Sequence, residues 1–441
     1  MRNILSQHIV VLIFILPMAY AFADEGLLFT TQRDALASKG LTFDPYVIED
    51  YVSVYKGGLI DNNTWLGRFD LVSELDLEKA GLLKGGLLHM DVLNVHGGLK
   101  PTADHMVGDL QTVSDIEATR STRIYEGWYQ QSLFDNRFSV KFGLIDINSD
   151  FLVSDSGNLY INSSLNIVPS VWANNNSDAT YPEPVPAVRL KYSPNESFDF
   201  LVGFFQGDPL NNNVNAHSTH FGNGEGLLSI EEGQYHYKLP VEGGLSGTVK
   251  TGFWYNSNDV GEIEDNYGGY VLIDQRVLQI NDTQGLNAFF LGGGAPDDRN
   301  IVQDSFGGGV NYTGLVPMRP NDVMGIALTK ADISDKNIPT ASTQIMGTSK
   351  GQESSETSYE WTYQIQINKN IHLQPDIQYV EHPNGEASIK NASIFMLRCF
   401  QYWLSLGWEY LSIPILSFRP FILMMIFISL IISQSEISIT C

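Results

Sequence analysis

The sequence predicts an all-β fold: a transmembrane antiparallel β-barrel of about 16 strands, preceded by a short helix. Three observations predict it. Apolar and polar residues alternate with a period of two in many short segments. No apolar run long enough for a membrane helix, about 18 residues, occurs between Asp24 and Arg398. The connections come in two sizes, as the two rims of an outer-membrane barrel require. A soluble β-sandwich or propeller would share the period. Aromatic residues at strand ends and charges of both signs on the opposite faces favour the barrel, whose wet interior tolerates such charges.

In chain order, Arg2, an apolar run over residues 9 to 16, Pro17 and Ala21-Phe22-Ala23 have the layout of a secretory signal, giving a leader over residues 1–23. Residues 24–45 form an N-terminal segment in which residues 31 to 40 read as a short helix ending at Gly40. The barrel is expected over residues 46–398. Residues 65 to 77, the third or so of the early strands, place Phe69, Leu71, Leu75 and Leu77 on an outward face and Arg68, Asp70, Glu74 and Asp76 toward the lumen. An arginine on the lipid face at mid-depth would cost about 2–4 kcal/mol, which sets that parity.

The same alternation recurs downstream. Phe138, Val140 and Phe142 oppose Ser139 and Lys141; Val188, Leu190 and Tyr192 oppose Arg189 and Lys191; Phe198, Phe200, Val202 and Phe204 oppose Asp199. Val249, Phe253 and Tyr255 oppose Lys250 and Trp254. The clearest case is YEWTYQIQINKNIHLQPDIQYV over residues 359 to 380, two strands broken by Asn368-Lys369-Asn370, a hairpin. Short turns are expected near residues 133–137, 193–196 and 368–370. Long loops rich in Asn, Ser, Gly and Asp are expected at 154–186, 206–226, 256–268 and 331–357.

Composition narrows the function. The formal charge is −24, from 26 basic and 50 acidic residues, so the chain lacks the basic footprint of a nucleic-acid binder. The two cysteines, Cys399 and Cys441, both lie near the end, so disulfides do not hold the body together.

Several stretches together resemble the OprB-type carbohydrate-selective porins of bacterial outer membranes. They include Arg33, Leu36 and Lys39-Gly40 with Leu41-Thr42-Phe43; Tyr125-Glu126-Gly127-Trp128-Tyr129-Gln130-Gln131; Phe142-Gly143 and Phe151; and Tyr160-Ile161-Asn162-Ser163. Tyr181-Pro182 leading to Arg189, Tyr312-Thr313-Gly314-Leu315 and Arg319-Pro320-Asn321-Asp322 continue it. The most specific part is Glu356, Tyr359-Glu360 and Tyr363 before Leu373-Gln374-Pro375-Asp376-Ile377-Gln378-Tyr379 and Pro383. The resemblance implies a 16-stranded barrel with a short N-terminal helix, passing monosaccharides and related small sugars down their gradient. It also implies outer-membrane lipid and lipopolysaccharide as surroundings, and leaves monomer and homotrimer both open. Pro186-Ala187 stands where the family usually has Pro-Gly.

A sugar offers hydroxyls at its edge and C–H groups on its faces, so a selective pore needs charged donors and acceptors with an aromatic face, each contact weak. The candidates are Arg68, Asp70, Glu74, Asp76, Lys141, Arg189, Lys191, Asp199 and Trp254, with Arg68 and Arg189 in the narrow part. No cofactor or metal site is expected: His217 and His220, or His89 and Asp91, lack a third ligand nearby. No enzyme is expected either, because adjacent carboxylates such as Glu231-Glu232 point to opposite faces of a strand, and Asp297-Asp298 reads as a strand pair or a turn. An exported adhesin or binding protein without a pore is the other reading of the strands.

The last stretch does not fit. A barrel of this family should end in an amphipathic strand with a terminal aromatic, which the outer-membrane assembly machinery reads. Residues 391 to 398 begin such a strand, but residues 399–441 are nearly uncharged, hold both cysteines and end in Cys441. The run 421 to 432 is too short to span, with Pro414 and Pro420 before it. Residues 399–441 therefore read as out-of-frame translation, leaving the barrel unclosed unless residues 399 to 411 substitute for the lost strand.

Overall fold

The computed structural model describes residues 33–98, 103–175, 179–207, 226–241, 244–258, 263–335 and 354–402. The leader, the loop histidines His217 and His220, and residues 403–441 lie outside them. Residues 33–37 are helical, with Lys39 and Gly40 donating to the carbonyls of Leu36 and Ala37. Gly40 then adopts φ +92°, and a Cβ there would run into the Asp76 carbonyl, so only glycine fits.

Sixteen strands close into one antiparallel barrel, each paired with its sequence neighbours and the first with the last. They are β1 (Leu41–Gly58), β2 (Asn62–Asp76), β3 (Gly86–Gly97), β4 (Ser121–Leu133), β5 (Phe138–Ile145), β6 (Val185–Asn195), β7 (Phe198–Gln206) and β8 (Leu227–Lys238). Then follow β9 (Ser246–Asn256), β10 (Asn266–Gln279), β11 (Gly285–Gly294), β12 (Val302–Thr313), β13 (Val323–Ile333), β14 (Ser355–Asn368), β15 (Ile371–Glu381) and β16 (Lys390–Tyr402). The strand expected third or so is the second. Connections such as 134–137, 196–197 and 369–370 lie on one rim; those at 98–120, 146–184, 207–226 and 334–354 lie on the other. By length the first rim is periplasmic and the second extracellular.

The boundary expected at Arg398 is corrected. The wall begins at Leu41 and runs to Tyr402: Cys399, Phe400, Gln401 and Tyr402 pair with Glu49, Ile48, Val47 and Tyr46 on one side. On the other side, Gln401, Phe400 and Cys399 pair with Ile371, His372 and Leu373. Those four residues suffice because β1 needs partners along its whole lower half, and backbone pairing does not depend on which side chains supply it. The seam is locked from inside. Arg398 Nε and Nη2 each lie 2.8 Å from an Asp50 oxygen, a bidentate pair between the last strand and the first.

The two faces of the wall carry opposite residue types, as alternation requires. In β14, Tyr359 and Trp361 are outward and exposed, Trp361 at 51%, while Glu360 on the inner face is 2% exposed. The outward set includes Phe142, Phe200, Phe204, Phe253, Phe290, Phe306 and Ile326. An exception lies beside the outward Tyr51–Trp65 ring pair, where Glu49 accepts from His96 at 2.8 Å across Gly67.

The extracellular half of the lumen is filled by chain. Residues 103–120 pack Met106, Val107, Val113 and Ile116 on Val52, Val54, Ile394 and Met396 of the seam. Residues 146–175, with a helical turn at Pro169–Trp172, pack Phe151, Leu152, Leu165 and Val168 on Phe205, Ile230, Leu272 and Leu291 of the opposite wall. The sequence predicts a long loop over 154–186 without its inward course, and it does not predict the segment 103–120.

Candidate functional site: the charged wall of the lumen

Even positions of β2 point inward and put Arg68 and Asp70 on the same face two residues apart. The Arg68 guanidinium reaches Asp70 through Nε (2.7 Å) and Nη2 (2.6 Å), and Nη2 donates to the Tyr46 hydroxyl at 3.3 Å. The cation lies over three rings: Tyr181 at 4.6 Å, Tyr125 at 5.4 Å and Tyr46 at 5.9 Å. Such a cage holds an arginine in place by cation–π attraction while its charge is matched by a buried carboxylate.

A register shift in β4 between Ile124 and Glu126 turns both Tyr125 and Glu126 to the lumen, a β-bulge re-aiming two side chains. Both then hold Asp146, the first residue of the inner segment: the Tyr125 hydroxyl donates to its carboxylate, and its backbone N–H donates to Glu126 at 3.0 Å. Burial pushes the Asp146 carboxyl above its ordinary range, against the hydrogen bonds it accepts from Tyr125 and Asn148.

Lys141 and Arg189 converge on Asp150, four residues further along, at 2.6 and 3.2 Å. Arg189 also donates to Ser139 at 2.6 Å and Gln130 at 2.7 Å, while the Lys141 ammonium sits 4.4 Å over the Trp128 ring. Trp128 in turn stacks on His89 at 4.4 Å, and His89 meets Glu74 at 3.1 Å. The structure therefore brings Glu74, Lys141 and Arg189 into one chain of contacts. Toward the periplasm, Lys191 pairs with Asp199 at 3.0 Å, and His236 reaches the same carboxylate at 3.3 Å.

Two candidates sit differently from expectation. Asp76 ends β2 and caps the following turn, accepting from the backbones of Glu78 and Lys79 at 3.0 Å, because a short acceptor just before a tight turn satisfies its free N–H groups. Trp254 does point inward, yet it is 0% exposed within the cluster formed by the inner segment and β7–β11. Its ring has no face to offer a solute.

Carboxylates outside the set of pore candidates anchor the inner segments. Glu360 accepts the N–H groups of Ile161 (2.7 Å) and Asn162 (3.0 Å); Glu356 accepts those of Leu110 and Gln111, both at 2.7 Å. Glu232 accepts from Leu152, and Asp274 from Ser156, each at 3.0 Å. The alternation over residues 359 to 380 gives the inward parity of Glu360 alone among them. The peptide groups they bind carry no sequence mark, so no signal announced the pairing.

The profile of the carbohydrate-selective porin, OprB family, matches residues 63–399. Porin B of Pseudomonas aeruginosa is 23% identical over 406 residues, covering 82% of this chain and 87% of that protein. The putative porin QuiX of Acinetobacter baylyi is 23% identical over 408 residues, covering 82% and 89%. The high-pH structure of Pseudomonas putida OprB superposes with a TM-score of 0.75 at 19% identity, covering 85% of this chain and 97% of that one; the low-pH structure gives 0.56 at 17%, covering 85% and 96%. Family and barrel point to a channel and not an enzyme, set in the bacterial outer membrane. This chain belongs to the OprB family of carbohydrate-selective porins.

Proposed function

We propose that the chain passes monosaccharides and related small neutral sugars by passive diffusion, and that the wall formed by β2–β7 is where it selects them. The observation that carries this is the contact of opposite charges along the wall: Arg68 with Asp70, Lys141 and Arg189 sharing Asp150, and Lys191 with Asp199. A wall whose cations each touch a carboxylate offers donors and acceptors to hydroxyls while weakening the field an ion meets, so it favours polar neutral solutes with weak, repeated contacts. In this reading Arg68 meets the solute, and Lys141 and Arg189 act through Asp150 by placing the inner segment. Each barrel holds its own lumen, so a monomer and a homotrimer would conduct by the same wall. The assembly machinery would read the closing strand, β16.

Liposome swelling tests the reading. Glucose should enter faster than glucuronate of similar size, and Arg68→Ala should change glucose entry more than it changes potassium chloride conductance. Equal entry of both solutes, or equal effects on both readouts, would make these residues plain wall charges.

A further inference from the structure

The inner face of the seam carries aromatic rings that the charged wall does not explain. Arg398 and Asp50 fix which residues point inward, and by the same parity so do Phe400 and Tyr402 of β16 and Tyr46 of β1. Tyr46 stacks on Phe400 with centroids 5.6 Å apart, and Tyr402 meets both edge-on, at 5.9 Å from Tyr46 and 4.5 Å from Phe400. His372 of β15 closes the group, 6.1 Å from Phe400.

This patch is out of character for its surroundings. The inward residues next along β15 are Gln374, Asp376 and Gln378, and the apolar inward residues higher on β16 are covered by residues 103–120. Tyr46, Phe400 and Tyr402 belong to none of the packed clusters, and Tyr402 is 37% exposed. A lumen wall wet at this level would ordinarily be polar. The patch is also joined to the charged wall: Tyr46 is the register partner of Asp70 and accepts from Arg68. Tyr46, Phe400 and Tyr402 all fall outside the residues that match the family profile.

We infer that Tyr46, Phe400 and Tyr402 form a stacking platform for the C–H face of a pyranose on the periplasmic side of Arg68. The inference rests on the reading of the chain as a sugar porin. A pyranose laid on these rings keeps its hydroxyl edge toward the Arg68–Asp70 pair, so one solute meets an apolar face and a charged edge together. An acyclic polyol of the same size has the hydroxyls and lacks the flat face.

The test uses the full chain in planar bilayers and liposomes, with glucose and sorbitol as probes. Wild type should bind and pass glucose in preference to sorbitol. The double variant Phe400→Leu with Tyr402→Leu should weaken glucose-induced current block about five- to tenfold, equivalent to about 1–1.4 kcal/mol, and should lose the preference over sorbitol. Its potassium chloride conductance and heat-modifiable gel mobility should stay unchanged. Unaltered glucose block in the variant would show that the rings only seal the seam. Should the variant fail to assemble, wild type alone decides: entry of both solutes without a glucose preference overturns the platform and leaves the porin reading standing. Exclusion of both solutes by an ion-conducting wild type overturns the porin reading, and the platform with it.

Discussion

The two sides of the lumen use the same residue types for different ends. On β8, β10 and β14, the carboxylates Glu232, Asp274, Glu356 and Glu360 accept backbone N–H groups of the inward segments. On β2 and β7, Asp70 and Asp199 face arginine and lysine, while Glu126 of β4 accepts the N–H of Asp146 as the carboxylates opposite do. A carboxylate that meets peptide N–H groups is an anchor, and one that meets a guanidinium among tyrosines is half of an ion pair in the wall. The difference lies in the partner, which is why residue type and parity alone did not separate them. The seam combines both uses, since Asp50 holds Arg398 and also accepts from Ser114 of the inward segment at 2.8 Å.

The largest effect should come from breaking the seam. Arg398→Ala leaves Asp50 and Asp115 without their shared cation, and loss of one partner from a buried pair costs about 3–5 kcal/mol. The folded band on gels should disappear at a markedly lower temperature. An unchanged transition would show that backbone pairing alone closes the barrel. Next comes the anchor side: Glu360→Ala strands the N–H groups of Ile161 and Asn162, each at about 1–3 kcal/mol. Single-channel conductance should rise as residues 146–175 leave the wall. A conductance equal to wild type would mean that the neighbouring anchors suffice.

A smaller effect should appear with pH. Burial pushes the Asp109 carboxyl well above its ordinary range, with the negative Glu356 and Glu117 adding to the shift. An acid whose folded pKa is raised favours the docked state most below its unfolded pKa, about 3.9. That contribution fades as pH rises through the raised folded value. Residues 103–120 should therefore be held best in acid and loosen toward alkaline pH, seen as rising conductance noise, and Asp109→Asn should flatten the dependence. A variant with the wild-type pH profile would remove Asp109 from the account. The smallest effect belongs to Lys191→Gln: its ion pair is partly exposed, so stability should change by about 1 kcal/mol or less.

Much of the barrel was legible because period two is imposed by the strand itself: outward Trp361 and inward Glu360 follow directly from their positions. The hairpin at 369–370 and the outward Phe69 and Leu71 follow in the same way. What could not be read depends on contacts between segments distant in sequence. Trp254 has inward parity, yet only the fold shows that residues 146–175 bury it. Asp76 has lumen parity, yet the turn after it uses its carboxylate. Closure turns on residues 399–402, which supply the lost strand although the composition changes at Cys399; a break in reading frame from about Cys399 stays a proposal, because backbone pairing accepts either sequence.

In the proposed reading the Arg68–Asp70 pair of β2 meets the solute, while Glu360 of β14 holds an inward segment. Measuring glucose permeation and potassium chloride conductance side by side in Arg68→Ala and Glu360→Ala tests it most directly. Arg68→Ala should alter the ratio of glucose to salt permeation with conductance nearly kept, and Glu360→Ala should raise both together with the ratio nearly kept. The reverse assignment, or the same change of ratio in both variants, would contradict it.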